Sequence, residues 1–484
     1  VIGMVVNEQF PTMRNLVDGD WVAPAHGEYT DITDPATGER LARVPSSSRH
    51  DVDAAARAGR AAAPGWAESP PSERSAALHA MADDLEESSE RIARLESANV
   101  GKPLPFARAE VAEAVDNLRY FAGVTRSAEG LAAGSYRRGT TSMIRHEPMG
   151  VVGLVTAWNF PLMGAAIKSG AALAAGNAVV IKPSEQTPLS TLAFAEIAAR
   201  HVPRGVINVV TGNGDPVGAA LVEHPDIRMV SLTGAVTTGQ AIASAASKTL
   251  KKVHLELGGN CPAIVFADAD IDRAVARIRL AATVNSGQVC LAAARVLVER
   301  RLYKDLVEAL VAALATIRVG APSEGDQIDM GPMAFRGHRD RVVNHIESVT
   351  RGRVIQRTPA PVSNPQAFVM PTVITDVEQS DPIVQQEIFG PVVTVQPFDD
   401  DEDAVSCANG TPFGLAASLW TEDLGRAMRL TPLLDFGTVW VNDHLVTLPE
   451  MPHGGRKLSG YGSEGSPYGI REFTQLKHVW TRHG

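Results

Sequence analysis

Short apolar segments alternate with small-residue and amphipathic segments from Pro148 onward, and this alternation limits the possible folds more than any other feature. Runs of four or five apolar or β-branched residues predict buried strands, and the segments of about ten residues between them predict helices. Strands joined by helices of this length form βαβ units with parallel strands. Before Glu256 the pattern predicts strands over residues 151–155, 178–181, 206–210 and 229–232, helices over 165–175 and 189–199, and a helix beginning at 217–221.

A second alternation of the same kind follows Glu256. At 484 residues the chain is too long for one compact core, so two domains in series are the simplest interpretation. We therefore predict an α/β fold with two doubly wound parallel sheets, the first of them Rossmann-like. The second run predicts strands over 263–266, 294–298, 391–397 and 415–420 and helices over 271–285 and 301–318; the segment before the first run predicts edge strands over 18–45 and helices over 72–99 and 107–126.

Charge and cysteine content argue against several classes of function. The net charge is −10 and no Lys/Arg cluster forms a basic stripe, so neither nucleic acid nor an anionic membrane is expected as a partner. The longest small-apolar stretch, residues 164–181, is interrupted by Lys168 and Asn177, which argues against a membrane span. Three scattered cysteines, none in a C-x-x-C pair, argue against disulfides and against a metal site. We therefore expect a cytoplasmic protein that needs no metal.

Cys290 is the first candidate for a catalytic residue. It closes the segment 285–290, and Glu256 lies 34 positions upstream in a second Gly-flanked segment. A thiol and a carboxylate placed in this way suggest a nucleophile and the base that activates it or its water. Free cysteines are more commonly small buried hydrophobic residues, and we interpret Cys261 and Cys407 in that way.

Two features of the first predicted domain point to a nucleotide. The glycine turn over residues 209–218 includes Gly212 and resembles a dinucleotide fingerprint, but its third glycine comes one residue late, so a purely structural turn is an open alternative. Lys182 and Glu185 follow a predicted strand, at the edge where doubly wound sheets bind ligands. Such a pair can bind both hydroxyls of an adenine ribose, and the carboxylate would repel a 2′-phosphate, which favours NAD over NADP. A solvated Lys–Glu pair on a loop is the alternative.

Two further segments carry polar groups beside aromatic rings. Asn159 lies between Trp158 and Phe160, just after the first predicted strand, where its amide could stabilise an oxyanion, although a turn Asn held by packed rings fits equally. Glu387 and Phe389 precede a predicted strand, where they could bind a sugar hydroxyl and a flat ring. Taken alone, this second segment is typical of a loop.

Together these segments resemble one family. The chain is similar to the NAD(P)-dependent aldehyde dehydrogenase superfamily over nearly its full length, with the family's motifs in the family's order. Residues 450–462, together with 134–135 and 141–145, look most like the γ-aminobutyraldehyde dehydrogenase branch. The matching motifs are residues 148–161, 181–185, 232–234, 255–259, 287–290, 386–391 and 440–442.

The resemblance implies a mechanism with named residues. Cys290, as a thiolate, would attack the aldehyde carbonyl, and Asn159 with the Cys290 backbone N–H would stabilise the oxyanion. Glu256 would deprotonate the water that hydrolyses the resulting thioester. Lys168 and Glu464 occupy positions suggested in relatives to relay that proton away.

The resemblance also implies NAD as the cofactor. Lys182 and Glu185 would hold the adenine ribose, and Glu387 and Phe389 the nicotinamide ribose and ring. Ala235 stands where most relatives place a Ser that touches the pyrophosphate, so one hydrogen bond would be lost there. The predicted cofactor residues are Thr156, Ala157, Trp158, Lys182, Ser184, Glu185, Gly212, Thr233, Gly234, Ala235, Leu257, Glu387 and Phe389.

An ω-aminoaldehyde such as 4-aminobutanal is the substrate that the resemblance favours. Asp116, on a helix that lines the substrate mouth in relatives, could attract the amine, although a solvated helix charge fits equally. Val289 and Leu291 are more apolar than their counterparts in aminoaldehyde members, so betaine aldehyde or an apolar aliphatic or aromatic aldehyde stays open. The predicted substrate residues are Asp116, Phe160, Ile167, Val289, Leu291 and His453, which stands where many members carry an aromatic residue.

Two other functions are weighed against this one. A CoA-acylating relative would pass the acyl group to CoA, but the hydrolytic base Glu256 argues against it. A catalytically silent binding or structural relative would not need the intact set of Asn159, Glu256 and Cys290.

The predicted organisation follows the family. Residues 1–124 and 146–254 would form the NAD-binding domain and residues 255–455 the catalytic domain. Residues 125–145 and 470–484 would form an oligomerisation arm that extends the sheet of another subunit, in a homodimer or homotetramer, because exposed strand edges need a partner.

Overall fold

The computed structural model describes residues 11–127, 133–356 and 364–483. The predicted NAD-binding domain and arm therefore fall partly outside the described residues, at 1–10, 128–132 and 484. The strands are β1 (Asn15–Val17), β2 (Asp20–Val22), β3 (Tyr29–Thr33), β4 (Arg40–Pro45), β5 (Thr140–Pro148), β6 (Val151–Val155), β7 (Ala178–Lys182), β8 (Ile207–Val209), β9 (Ile227–Thr233), β10 (Lys252–Glu256), β11 (Cys261–Val265), β12 (Ala293–Glu299), β13 (Arg353–Gln356), β14 (Thr372–Thr375), β15 (Val392–Phe398), β16 (Phe413–Gly414), β17 (Ala416–Trp420), β18 (Thr438–Val441), β19 (Arg456–Lys457), β20 (Gly460–Tyr461) and β21 (Thr474–Arg482). The α-helices are α1 (Arg49–Glu68), α2 (Pro71–Glu87), α3 (Ser89–Val100), α4 (Leu104–Thr125), α5 (Pro161–Ala174), α6 (Leu189–Ala198), α7 (Ala219–Glu223), α8 (Val236–Ser247), α9 (Ile271–Thr283), α10 (Tyr303–Ala315), α11 (Arg336–Glu347), α12 (Pro382–Gln385), α13 (Asp401–Asn409), α14 (Leu424–Leu430) and α15 (Ser466–Glu472).

The first sheet has the strand order β2-β1-β8-β7-β6-β9-β10-β20. Its five central strands, from β8 to β10, are mutually parallel, and their order places β6 beside β9, where the direction of winding reverses. Apolar clusters cover both faces, one formed with α2 to α6 and the other with α1, α7 and α8. The predicted Rossmann-like, doubly wound sheet is therefore confirmed, and its switch point lies between the carboxyl ends of β6 and β9.

The second sheet has the order β13-β14-β15-β12-β11-β17-β18. All its strands are parallel except β13, which is antiparallel at one edge. Apolar clusters again cover both faces, with α9 and α10 on one side and α13 and α14 on the other. The chain passes from the first sheet to the second between Glu256, the end of β10, and Cys261, the start of β11.

A two-stranded ribbon stands apart from both sheets. Strands β5 and β21 pair antiparallel over nine residues each, from Thr140 opposite Arg482 to Pro148 opposite Thr474. Leu476 and Trp480 each lie two positions from His478, so all three residues share one face of the ribbon. Leu476 and Trp480 are 67% and 48% exposed. An isolated ribbon of this kind is marginally stable in water unless its apolar face packs against something.

The helix predicted over residues 72–99 is two helices, and this prediction was wrong. The chain leaves the helical path at Ser88, between α2 and α3. The reason is local: the segment 86–90 is entirely polar, so nothing there packs on the core, and serine competes for backbone hydrogen bonds within a helix.

In the part of the chain that the structure describes, each helix is either too short or too polar to cross a bilayer. The cytoplasmic location stays a prediction.

Candidate active site

The turn that carries Cys290 is built from left-handed backbone. Asn285, Ser286 and Gly287 have φ of 49°, 58° and 71° in succession, a conformation that costs roughly 1–2 kcal/mol at each non-glycine residue. The turn is held by the Ser286 hydroxyl, which donates to the Gly331 carbonyl at 2.9 Å. A Cβ at Gly287 would lie 2.3 Å from the Gly390 carbonyl, so only glycine fits. The turn ends just before β12 and places Cys290 at the amino edge of the second sheet.

Glu256 is the last residue of β10, at the carboxyl edge of the first sheet, and it is 2% exposed. The two glycines that follow it let the chain pass close to the rest of the site. A Cβ at Gly259 would lie 2.2 Å from the Cys290 carbonyl oxygen, and a Cβ at Gly258 would lie 2.1 Å from Oε2 of Glu387. The Gly-Gly pair therefore brings the ends of two different sheets into contact.

Glu256, Cys290 and His453 form one cluster. A carboxylate oxygen, the Sγ atom and a ring nitrogen of the three residues lie within 4.8 Å of one another. Nε2 of His453 lies 3.0 Å from Oε1 of Glu256, whereas the buried Oε2 of Glu256 has no hydrogen-bond partner among the described residues. Burial raises the pKa of the Cys290 thiol to about 11, and a hydrogen bond from His453 opposes that rise.

Asn159 lies beside the Cys290 turn. Pro161 occupies the first position of α5, which Pro favours, so Asn159 stays in the loop between β6 and the helix. Its side-chain amide donates to the Gln288 carbonyl at 2.9 Å, and the Asn285 side chain donates to the Asn159 carbonyl at 3.0 Å. These two bonds fix an amide donor next to the nucleophile turn.

Lys168 and Glu464 form an ion pair. The Lys168 ammonium, buried in α5, bonds Glu464 and also donates to the Ser231 hydroxyl at 2.9 Å. Burial alone would raise the pKa of Glu464, but the charge of Lys168 and its hydrogen bond lower that pKa to about 2. Backbone hydrogen bonds of 2.9 and 2.7 Å join Glu464 to His453.

Six of the predicted cofactor residues gather at the switch point. Thr156, Ala157 and Trp158 follow β6, and Thr233 ends β9. The next residues, Gly234 and Ala235, lead directly into the amino end of α8. Oγ1 of Thr156 is buried and has no protein partner among the described residues.

The predicted ribose residues lie at the end of β7 and just after it. The buried Lys182 ammonium donates to the Pro183 carbonyl at 2.9 Å and lies 3.3 Å from Oε2 of Glu185, whose side chain is 39% exposed. Burial lowers the pKa of Lys182, although Glu185 opposes the shift. The Ser184 hydroxyl accepts from the Gln186 N–H at 3.3 Å.

Gly212 lies in the turn after β8 and has a φ of 143°. A Cβ there would come within 2.6 Å of Val217 and 3.2 Å of the Ser47 backbone nitrogen. In the same turn, Thr211 donates from its backbone N–H to the Asn15 side chain. The packing of this turn against the N-terminal segment accounts for the glycine without a ligand.

Glu387 and Phe389 lie between the Glu256 segment and the switch point. The Gly259 N–H donates to Oε1 of Glu387 at 2.8 Å, and burial raises the pKa of Glu387 to about 7 in spite of that bond. The Phe389 ring packs edge-on against Trp158 with a centroid distance of 5.3 Å. Leu257, by contrast, packs in the core of the first sheet against Gly239.

The predicted substrate residues separate into two groups. Phe160, Val289 and Leu291 belong to one apolar cluster around Cys290. Ile167 instead packs against the helical core of the first domain. Asp116 is exposed on α4 and lines a surface cavity of about 490 Å³ together with the ion-paired residues Glu86, Glu90, Arg108 and Arg119.

Several residues of the site were missed by the sequence analysis. His338 and Phe335 pack around Trp158, with His338 Nε2 2.7 Å from the Phe389 carbonyl oxygen. His444 lies with Nε2 2.9 Å from the Leu291 carbonyl oxygen. No local pattern marks these histidines, because their partners are far away in the sequence.

Phe106 was missed as well, although a signal for it exists. It belongs to the cluster around Cys290 and packs against Phe160 at 6.0 Å. Glu113 and Tyr120 follow it on α4 at intervals of seven residues, which places all three on one helix face. That spacing could have identified this face from the sequence alone.

The chain is similar to known proteins over nearly its full length. A model of the aldehyde dehydrogenase family matches residues 21–479. Human 2-aminomuconic semialdehyde dehydrogenase is 35% identical over 481 residues, which is 97% of this chain and 98% of the relative. The 2-hydroxymuconic semialdehyde dehydrogenase of Pseudomonas sp. (strain CF600) is 37% identical over 481 residues, with 96% and 99% covered. A crystal structure of Staphylococcus aureus betaine aldehyde dehydrogenase in complex with NAD+ has a TM-score of 0.94 at 35% identity and covers 97% of this chain and 95% of that one.

Proposed function

The chain belongs to the aldehyde dehydrogenase family and is an oxidoreductase that acts on aldehydes, and we propose that it oxidises an ω-aminoaldehyde such as 4-aminobutanal to the carboxylate with NAD. The observation that carries the proposal is the convergence of Cys290, Glu256 and the Asn159 amide at the facing edges of two sheets. A nucleophile, a base and an oxyanion donor are the groups that covalent aldehyde oxidation needs.

Each of these residues performs one step. The Cys290 thiolate attacks the aldehyde carbon, and the oxyanion that forms is stabilised by the Asn159 amide and the Cys290 N–H, of which one donor is worth about 3–4 kcal/mol. After oxidation the acyl group remains on Cys290 as a thioester. Glu256, whose Oε2 has no protein partner among the described residues, takes a proton from the attacking water. Lys168 and Glu464 then relay that proton away from Glu256.

The switch point fits a dinucleotide. The buried Thr156 hydroxyl has no hydrogen-bond partner among the described residues, as expected of a group that binds a ligand. The amino end of α8, reached through Thr233 and Gly234, suits a pyrophosphate. Lys182 and Glu185 would hold the adenine ribose, and NAD, when bound, supplies the two-electron acceptor.

Preference for NAD over NADP rests on Glu185. Its carboxylate lies beside Lys182 at the proposed ribose position and is only partly covered. A 2′-phosphate there would meet a like charge, and the nearby ammonium is already paired with Glu185. NAD, which has a hydroxyl in that position, meets no such repulsion.

The aminoaldehyde is supported by the face of α4 that carries Phe106, Glu113 and Tyr120. Phe106 is beside the nucleophile, and Glu113 follows it by about 10 Å along the helix. Partial burial and the charge of Asp116 raise the pKa of Glu113, and the charge of Glu450 adds to burial in raising the pKa of Tyr120. An acidic group on the helix face that also carries Phe106 would attract an ammonium at the far end of the aldehyde and repel a terminal carboxylate.

A second candidate is an apolar aldehyde. Val289 and Leu291 are 6% and 5% exposed and, with Phe106 and Phe160, surround Cys290 with apolar surface. Such walls would also accept an aliphatic or aromatic aldehyde, or the trimethylammonium group of betaine aldehyde.

The test compares kcat/KM for 4-aminobutanal, betaine aldehyde, pentanal, benzaldehyde and a semialdehyde that ends in a carboxylate, with NAD and with NADP. We expect 4-aminobutanal with NAD to be best. Glu113→Gln should lower its kcat/KM about tenfold, or about 1.4 kcal/mol, and leave pentanal unchanged. Asp116→Asn, on the outer side of α4, is the matched control and should have a smaller effect. A higher kcat/KM for pentanal in the wild-type enzyme would favour the apolar candidate.

A further inference from the structure

His453 is placed to act on two reacting groups at once. Its Nε2 lies 3.0 Å from Oε1 of Glu256, and a ring nitrogen lies within 4.8 Å of Cys290 Sγ. The side chains of His453 and Glu256 are only 20% and 3% exposed, so water competes little with these contacts. A substrate-lining role, which we predicted for His453 from the sequence, does not require either contact.

The position of His453 is fixed by the backbone. It exchanges two hydrogen bonds with Glu464, of 2.9 and 2.7 Å, in an isolated antiparallel bridge. Glu464 is in turn held by the buried ammonium of Lys168. These contacts connect His453 to the first domain and hold its imidazole near the nucleophile.

The electrostatic balance of the cluster favours a charged ring. Burial acts to lower the pKa of His453, but the charge of Glu256 and the hydrogen bonds with Cys290 and Glu256 together raise it well above its usual value. Burial, together with the charge of Glu256, raises the pKa of Cys290 to about 11, although the hydrogen bond and charge of His453 act to lower it. The titratable groups that surround the pair are Glu256 and His254 on β10, Cys261 on β11, Lys168 on α5 and Glu464 after β20.

We propose that His453 is a further catalytic residue, which takes the proton of the Cys290 thiol and holds the nucleophile as a thiolate–imidazolium pair beside Glu256. This proposal rests on the proposed function. The S–H bond breaks and the proton stays on the ring, and the S–C bond to the aldehyde carbon forms with the electron pair of the sulfur. When water cleaves the thioester, the thiolate returns to the same imidazolium. Glu256 takes no proton during the attack and is free to accept the proton of the water.

A protonated His453 ring would offset two effects that disfavour the Cys290 thiolate. A buried thiol next to an ionised carboxylate would otherwise stay protonated at neutral pH, because both burial and the negative charge disfavour the thiolate. An imidazolium that donates to Glu256 and lies near Cys290 neutralises one of the two negative charges. Many relatives carry an aromatic residue in place of His453, so this pair would be a property of this chain and of those that share the histidine.

The experiment measures alkylation of Cys290 by iodoacetamide, followed by mass spectrometry of the peptide that contains it, on the enzyme as purified and without aldehyde. The contact with His453 should hold the midpoint of the wild-type rate below that of a buried thiol without such a partner. In His453→Phe and His453→Gln the midpoint should rise by about two pH units, and the rate at pH 7 should fall about a hundredfold. In His453→Ala, added imidazole should restore part of the rate.

His444→Gln is the matched control, because His444 is also buried near the site but lies against the Leu291 carbonyl. Its midpoint should stay at the wild-type value. Unchanged midpoints in both His453→Phe and His453→Gln, or an equal shift in His444→Gln, overturn the proposal. Circular dichroism identifies a variant that fails to fold, and the Gln variant, which keeps a hydrogen-bond donor for Glu256, then decides. Because alkylation needs no aldehyde oxidation, unchanged midpoints leave the proposed dehydrogenase activity standing. Absence of turnover in a wild-type enzyme whose midpoint does shift in the His453 variants leaves the imidazole assignment standing.

Discussion

The surroundings of Cys290 and Glu256 indicate different roles for the two residues. Glu256 is buried and Cys290 is half-buried, and the carboxylate keeps a buried oxygen without a protein partner among the described residues. A group that must accept a proton from water needs such a free oxygen, whereas a nucleophile needs a partner that removes its proton. The contacts of Glu256 therefore fit hydrolysis of the thioester better than activation of the thiol.

Glu256→Gln tests this division at the residue scale. The variant should give one burst of NADH per active site and then turn over at a rate lower by a factor of about 100 or more, because removal of a general base commonly costs that much. Stopped-flow absorbance of NADH and trapping of the acyl enzyme by mass spectrometry measure both phases. Cys290→Ala, the control, should show neither burst nor turnover. Steady turnover of Glu256→Gln at the wild-type rate would remove Glu256 from the role of base.

At the scale of elements, α4 and the β5–β21 ribbon each have a face that does not pack against either large sheet. The ribbon carries Leu476 and Trp480 on one side, with Ile144 opposite His478 on the same side. Apart from the bridge between Gly134 and Ser142, no further strand of the described residues pairs with its outer edges. Both features fit the proposed role of residues 125–145 and 470–484 as an oligomerisation arm.

The double variant Leu476→Asp/Trp480→Asp tests the arm. Two carboxylates on the apolar face should shift the protein from dimer or tetramer to monomer, because each would have to be buried without a partner in the assembly. Analytical ultracentrifugation measures the mass. Lys477→Ser, on the opposite face of β21, should leave the assembly intact. A double variant that still sediments as the wild-type oligomer would show that this face is not the interface.

At the scale of the whole molecule, the site exists only where the two sheets meet. The first sheet contributes the carboxyl ends of β6, β9 and β10, and the second contributes the amino ends of β11 and β12. Burial in this arrangement lowers the pKa of three histidines, His254 to about 3 and His338 and His444 to about 4. They are neutral in the folded protein at pH values where an unfolded chain would bind protons.

Stability should therefore fall in mild acid. Between pH 6.5 and about 4 the unfolded chain binds more protons at these histidines, so their contribution is complete above pH 6.5 and is lost as the pH falls, by about 1.4 kcal/mol per pH unit for each. His254→Asn should reduce the difference in unfolding free energy between pH 7 and pH 5 by about 2 kcal/mol. Urea unfolding at the two pH values measures this. His79→Asn, at an exposed position on α2, should leave the difference unchanged, and an unchanged value in His254→Asn would contradict the prediction.

The sequence by itself determined the fold class and the composition of the motifs. Strands such as β6 and β7 are short apolar runs between glycine or polar turns, so their position follows from local periodicity. The resemblance built on Cys290, Glu256 and Asn159 gave the family, which the comparisons show. The roles of these residues remain proposals, because the comparisons identify the family and not the site.

Only the tertiary structure decided which side chains meet. His453 and Glu256 are separated by 197 positions and yet lie in contact, while Asp116, predicted at the substrate mouth, lies in a surface cavity among ion pairs and Ile167 packs into the helical core. Local patterns report which face of an element is buried, but not what packs against it. The partner of a buried polar group is set by the docking of one sheet on another, and this is why the sequence could place His453 near the site but could not place its ring between the base and the nucleophile.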